Sequence, residues 1–86
     1  MTRASVRFTD SAIADFQGIL DWYTEQGVSD VGMEFLQAIM HRIDQLRDHP
    51  DLGRIVPEFS QPTVRELIHP PFRIVYRRKR GMITVI

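Results

Sequence analysis

Val6 and Phe8 alternate with Ser5 and Arg7, a period of two that sends successive side chains to opposite faces of a strand. Thr9, Asp10 and Ser11 follow at once, and their hydroxyl and carboxylate groups suit the free N–H groups at a helix start. Beyond them Ala12, Ile13, Phe16, Ile19, Leu20 and Tyr23 recur three and four apart, with Asp15, Asp21 and Glu25 between them. This spacing predicts an amphipathic helix of about four turns. Gly27 ends it, because glycine takes the left-handed conformation that closes a helix without steric cost. Ser29 and Asp30 offer a second cap, and Phe35, Leu36, Ile39, Met40, Ile43 and Leu46 then form one stripe until Pro50 stops the run. The short link between the two helices predicts an antiparallel hairpin. If Phe35, Ile39, Ile43 and Leu46 are buried, each contributes about 1.5–3 kcal/mol, too little against chain entropy for a free hairpin. A sheet has to cover it.

That sheet is expected in the last third of the chain. Val64 to Ile68, Phe72 to Arg77 and Met82 to Ile86 read as three strands, with His69, Pro70 and Pro71 between the first two and Gly81 in the tight connection between the last two. The stretch from Asp51 to Thr63 holds Gly53, Pro57 and Pro62 without a clear period and reads as an ordered loop. The expected fold is α+β in the order βααβββ, with the helical hairpin packed on an antiparallel sheet and one domain covering residues 1–86. Alternation places Phe72, Ile74 and Tyr76 toward the helices and Arg73, Val75 and Arg77 on a basic outer face, which Arg65 is expected to join. Met82 to Ile86 reads as an unprotected apolar edge.

Composition narrows the chemistry. Hydrophobic residues make up 43% of the 86 residues and charged ones 26%, which fits a small globular chain rather than a disordered one. Neither a membrane-spanning run nor a signal peptide is apparent, so the expected location is the cytoplasm. The absence of cysteine excludes disulfides, thiolate zinc sites and thiol nucleophiles. His41, His49 and His69 lack metal spacing, Ser5, Ser11, Ser29 and Ser60 lack a nucleophile elbow, and no Gly-rich phosphate loop occurs. No metal or cofactor is expected.

The formal net charge of zero hides an asymmetry. Residues 1–52 carry four basic and nine acidic side chains, whereas residues 53–86 carry seven basic and two acidic ones. Either the halves neutralise each other in the fold or the basic half meets an anionic partner. Arg54, just past the second helix, suits helix-end carbonyls as well as a ligand, and Tyr76 suits the core as well as proton transfer or stacking. Phe16, Trp22 and Phe59 fit either core packing or an exposed aromatic patch for a partner.

Taken in order, Ala12-x-x-Asp15-Phe16-x-x-Ile19, then Phe35-x-x-x-Ile39-x-x-x-Ile43-x-x-Leu46-x-x-x-Pro50-x-x-Gly53-Arg54, then Val64-Arg65-Glu66-Leu67 and Phe72-Arg73-Ile74-Val75-Tyr76-Arg77 resemble the RelE/ParE toxins of bacterial type II toxin-antitoxin systems, nearly end to end. The Val64 to Leu67 segment and the approach to Tyr76 look more like the ParE branch. The resemblance implies a toxin held inactive in a hetero-oligomer with a cognate antitoxin, whose partly disordered tail folds on binding. A ParE-like member implies DNA gyrase as the target, no catalytic residue, and Arg54, Arg65, Arg73 and Arg77 as partner contacts. A RelE-like member implies cleavage of messenger RNA on the ribosome, with Arg65, Arg73 and Tyr76 as catalytic groups, although arginine is a poor general base. A third reading is a non-toxic module that only binds antitoxin. ParE-like chains generally continue past the last strand into a short segment with His and Arg, whereas this sequence ends at Ile86. Either the chain shown is shortened or this member is naturally truncated, and if the basic face is only an antitoxin platform, the 86-residue form is expected to bind antitoxin yet fail to arrest growth.

Overall fold

The computed structural model describes residues 3–86; the first two residues of the expected 1–86 domain lie outside the described residues. Among the described residues seven elements follow one another: β1 (Ser5–Phe8), α1 (Asp10–Glu25), α2 (Ser29–Gln45), β2 (Arg54–Ile55), β3 (Val64–His69), β4 (Phe72–Lys79) and β5 (Met82–Val85). The fold is α+β, with two helices and one five-stranded sheet in the order β1-β5-β4-β3-β2. All neighbouring strands are antiparallel except β1 and β5, which run parallel. β2, a two-residue strand against Glu66 and Arg65, lies inside the stretch expected to be loop.

The sheet order corrects one expectation. β5 is not an edge, because β1 returns from the start of the chain and pairs with it from Ser5↔Met82 to Phe8↔Val85. β1 and β2 are the edges instead. A strand's neighbour is chosen by long-range packing, which apolar content alone does not encode.

Local chemistry sets the helix ends. The Thr9 hydroxyl accepts from the Ala12 N–H at 3.1 Å and caps α1. Gly27, at φ 77°, turns the chain out of the helix. The cap expected from Ser29 and Asp30 does not form: Val28 is the N-cap, no side chain bonds there, and Ser29 is already helical. Asp30 still lies in the first turn, where a carboxylate opposes the helix dipole.

α2 supplies most of the helical core. Ile39, Ile43 and Leu46 are buried with Leu67, Ile74, Tyr76, Ile83 and Val85 of the sheet, while Phe35 is half-buried and packs edge-on against Phe72 at 5.4 Å. α1 buries only Ala12 fully and leaves Ile13 and Trp22 each 55% exposed. By side-chain burial α2 therefore lies against the sheet, while α1 packs mainly on α2 and touches the sheet at β1.

This difference is measurable. Ile39→Ala should lower the unfolding free energy by about 2–5 kcal/mol and Ile13→Ala by under about 0.5 kcal/mol, read by urea denaturation. Equal losses would contradict the assigned packing.

Candidate functional site

The candidate site grows from the turn between α2 and β2 and the strand that meets it. β4 carries Tyr76 into the core with no exposed surface, and its hydroxyl still has to form hydrogen bonds. It donates to the Pro50 carbonyl at 2.7 Å and accepts from the Gly53 N–H at 2.9 Å. Gly53 has no room for a side chain: a Cβ would stand 2.7 Å from the Glu66 carbonyl oxygen and 2.9 Å from the Tyr76 hydroxyl. Pro50, Gly53 and Tyr76 form one lock.

Arg65 belongs to this lock rather than to the outer face, which corrects a further expectation. β3 pairs with β4 so that Arg65 lies opposite Tyr76, and residues opposite each other share a face. The Arg65 guanidinium donates to the Pro62 carbonyl at 2.9 Å and the Gly53 carbonyl at 3.0 Å, and it lies 3.2 Å from Asp51 Oδ1. Arg78 reaches the same Oδ1 at 2.8 Å. Burial pushes the Tyr76 pKa up, opposed by the Gly53 N–H and the Arg65 charge, which favour the phenolate.

The same register collects the other cations on the far side of the sheet. Arg54 lies opposite Glu66, Arg73 opposite Ile68, Arg77 opposite Val64 and Thr84, and Arg7 opposite Thr84. The Glu66 carboxylate is 1% exposed between two arginines that stay in water, Arg54 at 66% and Arg73 at 47%. Arg54 holds Oε1 through Nε at 3.0 Å and Nη2 at 2.9 Å. Arg73 Nε stands 3.0 Å from Oε2 without an aligned hydrogen bond, and its Nη1 lies 3.9 Å from Glu58. Among the described residues Arg7, Arg77, Lys79 and Arg80, and Arg42 on α2, have no acidic partner.

An apolar hollow of about 650 Å³ opens on the other side, between α1 and the end of the sheet. Phe16, Ile19 and Trp22 form one wall and Phe72, Ile74 and Val85 the other. Among the described residues no group of three or more His, Asp or Glu side chains is gathered for a metal ion, and no helix is long and apolar enough to cross a membrane.

The family model described as "ParE toxin of type II toxin-antitoxin system, parDE" matches residues 6–86. The chain belongs to the ParE toxin family. Among solved structures, it is similar to a chain of the "Chromosomal ParDE TA system from P. aeruginosa", with 26% identity, 96% of this chain and 90% of that chain covered, and a TM-score of 0.77. No curated protein matches. In this ParE-family chain the motif residues Pro50, Gly53, Arg54, Arg65, Glu66, Arg73 and Tyr76 converge in space, although up to 26 positions separate those in direct contact.

The expected contacts thus divide. Arg54, Arg73 and Arg77 share the outer face, while Arg65 and Tyr76 lie behind the sheet in the lock. Asp51, Glu58, Glu66 and Arg7 are not among the expected site residues; the signal for Glu66 is its place between Val64 and Ile68 at the same parity of β3.

Tyr76→Phe leaves the Gly53 N–H and Pro50 carbonyl unpaired and should cost about 1–3 kcal/mol at neutral pH. The folded state holds the phenolic proton more tightly than the unfolded chain, so the stability it contributes is complete below pH about 10 and is lost as pH rises through the raised value. Urea titrations across that range should show a steeper alkaline loss for the wild type than for Tyr76→Phe. Equal slopes would contradict the lock.

Proposed function

We propose that this ParE-family chain is the toxin of a ParDE-type pair, that residues 1–86 act as one toxin domain in the cytoplasm, and that it inhibits DNA gyrase by binding until a cognate antitoxin captures it in a hetero-oligomer. The family match over residues 6–86 carries the reading. The structural neighbour, whose title names a ParDE system, supports an antitoxin as the partner.

The surface suits such a partner. The hollow beside Phe16 and Trp22 accepts apolar side chains, and the outer face offers Arg54, Arg73 and Arg77 to carboxylates. Arg65 contributes indirectly, by fixing the turn that carries Arg54. Binding rather than bond cleavage is favoured by the state of Tyr76: both hydrogen-bonding functions of its buried hydroxyl are engaged, which leaves it no free proton to offer a phosphodiester.

Two assays test the reading. Purified protein should inhibit gyrase supercoiling or trap cleaved DNA and leave ribosome-bound messenger RNA intact. Codon-specific cleavage of translated message, lost in Arg73→Ala, would replace it with the nuclease reading. Replacing Arg73 and Arg77 together with alanine should weaken antitoxin binding by about tenfold or more, most at low salt, while Arg77→Ala alone, which breaks no ion pair, should leave thermal stability nearly unchanged. Arg65→Ala should instead lower the melting temperature, because its guanidinium is bonded to the turn. Unchanged affinity in the double variant, measured by calorimetry, would remove the outer face from the interface.

A further inference from the structure

A carboxylate that is 99% covered is unusual on the helix-free face of a sheet, and Glu66 is paired there with two arginines. One carboxylate between two guanidiniums leaves a net positive charge, and Arg54 and Arg73 have more donors than Glu66 accepts. Arg54 is gripped through two nitrogens, so its plane is fixed. Arg73 is the looser partner, with its Nη1 extended toward Glu58, an exposed side chain from the loop before β3. At 3.9 Å this second pair is too long for a hydrogen bond. Glu58 thus stands where an incoming carboxylate would stand, without satisfying the donor.

We propose that Arg54 and Arg73, held apart and oriented by Glu66, form a carboxylate-binding clamp for an acidic peptide segment, and that Glu58 is its internal competitor. The proposal rests on the antitoxin reading for the identity of the natural ligand. The surroundings favour a peptide over a nucleic acid. Ile68, 46% exposed, lies beside Arg73, and Val75 lies beside Glu66, so cationic and apolar positions alternate across the face. The strand residues on this face include no aromatic ring, because Phe72 and Tyr76 lie on the helix side, and Phe59, exposed beside Glu58 in the loop, is a single ring rather than the row on which successive bases stack. An extended peptide with acidic and apolar residues in alternation matches both. Glu66 is a positioning residue here, since it acts through the two arginines and not on the ligand.

The test uses the opposite signs expected of two glutamates that bear the same charge. The probes are a cognate ParD-type antitoxin, a labelled peptide of alternating glutamate and leucine, its glutamine counterpart, and a labelled single-stranded DNA oligonucleotide. If only the charge of the face mattered, removing either glutamate would tighten anion binding. The clamp predicts that Glu58→Gln tightens acidic-peptide binding about twofold, whereas Glu66→Gln weakens it about tenfold. The gain from Glu58→Gln should vanish in an Arg73→Gln background, a cycle that needs no Glu66 variant to fold.

Tighter or unchanged binding in folded Glu66→Gln, or a gain from Glu58→Gln that persists without Arg73, would overturn the clamp. Oligonucleotide binding stronger than peptide binding and lost in Arg54→Gln would overturn the peptide assignment. If the wild type binds the acidic peptide with these signs but not the antitoxin, the clamp stands and the antitoxin reading falls.

Discussion

The Tyr76 hydroxyl lies inside the fold, its proton given to Pro50 and its lone pair taken by Gly53, and the rest of the site follows from that arrangement. A buried phenol without partners would cost free energy, so the turn after α2 must come to it. The turn can do so only because residue 53 has no side chain to strike the β3 backbone or the tyrosine ring. Once the turn is seated, Arg54 is delivered as a two-residue strand opposite Glu66, and Glu66 in turn meets Arg73. A core hydrogen bond on one side of the sheet thereby sets the spacing of guanidiniums on the other.

The charge asymmetry acquires a physical meaning in this arrangement. Among the described residues Asp51 is the one acid of the first half that pairs with the basic half, through Arg65 and Arg78. Arg3 pairs with Asp44 and Asp48, and Arg47 with Asp44, all within the acidic half. The two halves thus remain largely unneutralised by direct contact: an acidic helical side and a basic sheet side face water separately. A partner that wraps the chain meets carboxylates on one surface, guanidiniums on the other, and an apolar hollow near Trp22.

The parts legible in the sequence are those governed by local period. The two helices, the three C-terminal strands and the inward set of Ile74 and Tyr76 follow from spacings of three, four and two. β2 was not legible, because two residues carry no period. The facing of Arg65 depends on how β3 and β4 are joined: the Pro70-Pro71 turn pairs His69 with Phe72, and this matches odd positions of β3 with even positions of β4. The neighbour of β5 depends on a strand more than 70 positions away. Resemblance to the toxin family named the motif residues, but their physical roles, above all Glu66 as a buried spacer, emerge only when distant segments meet.

The most direct test of the central claim is amide hydrogen exchange at Gly53. This N–H belongs to no regular element, yet it is buried and bonded to a side chain in the core. If the Tyr76 lock holds the turn, Gly53 exchanges as slowly as Leu67 and Ile74 in the central strands, through opening of the whole sheet. Exchange at Gly53 as fast as at an exposed loop residue such as Gln61, with Leu67 and Ile74 still protected, would show that the turn opens on its own and that Tyr76 does not set the geometry of the arginine face.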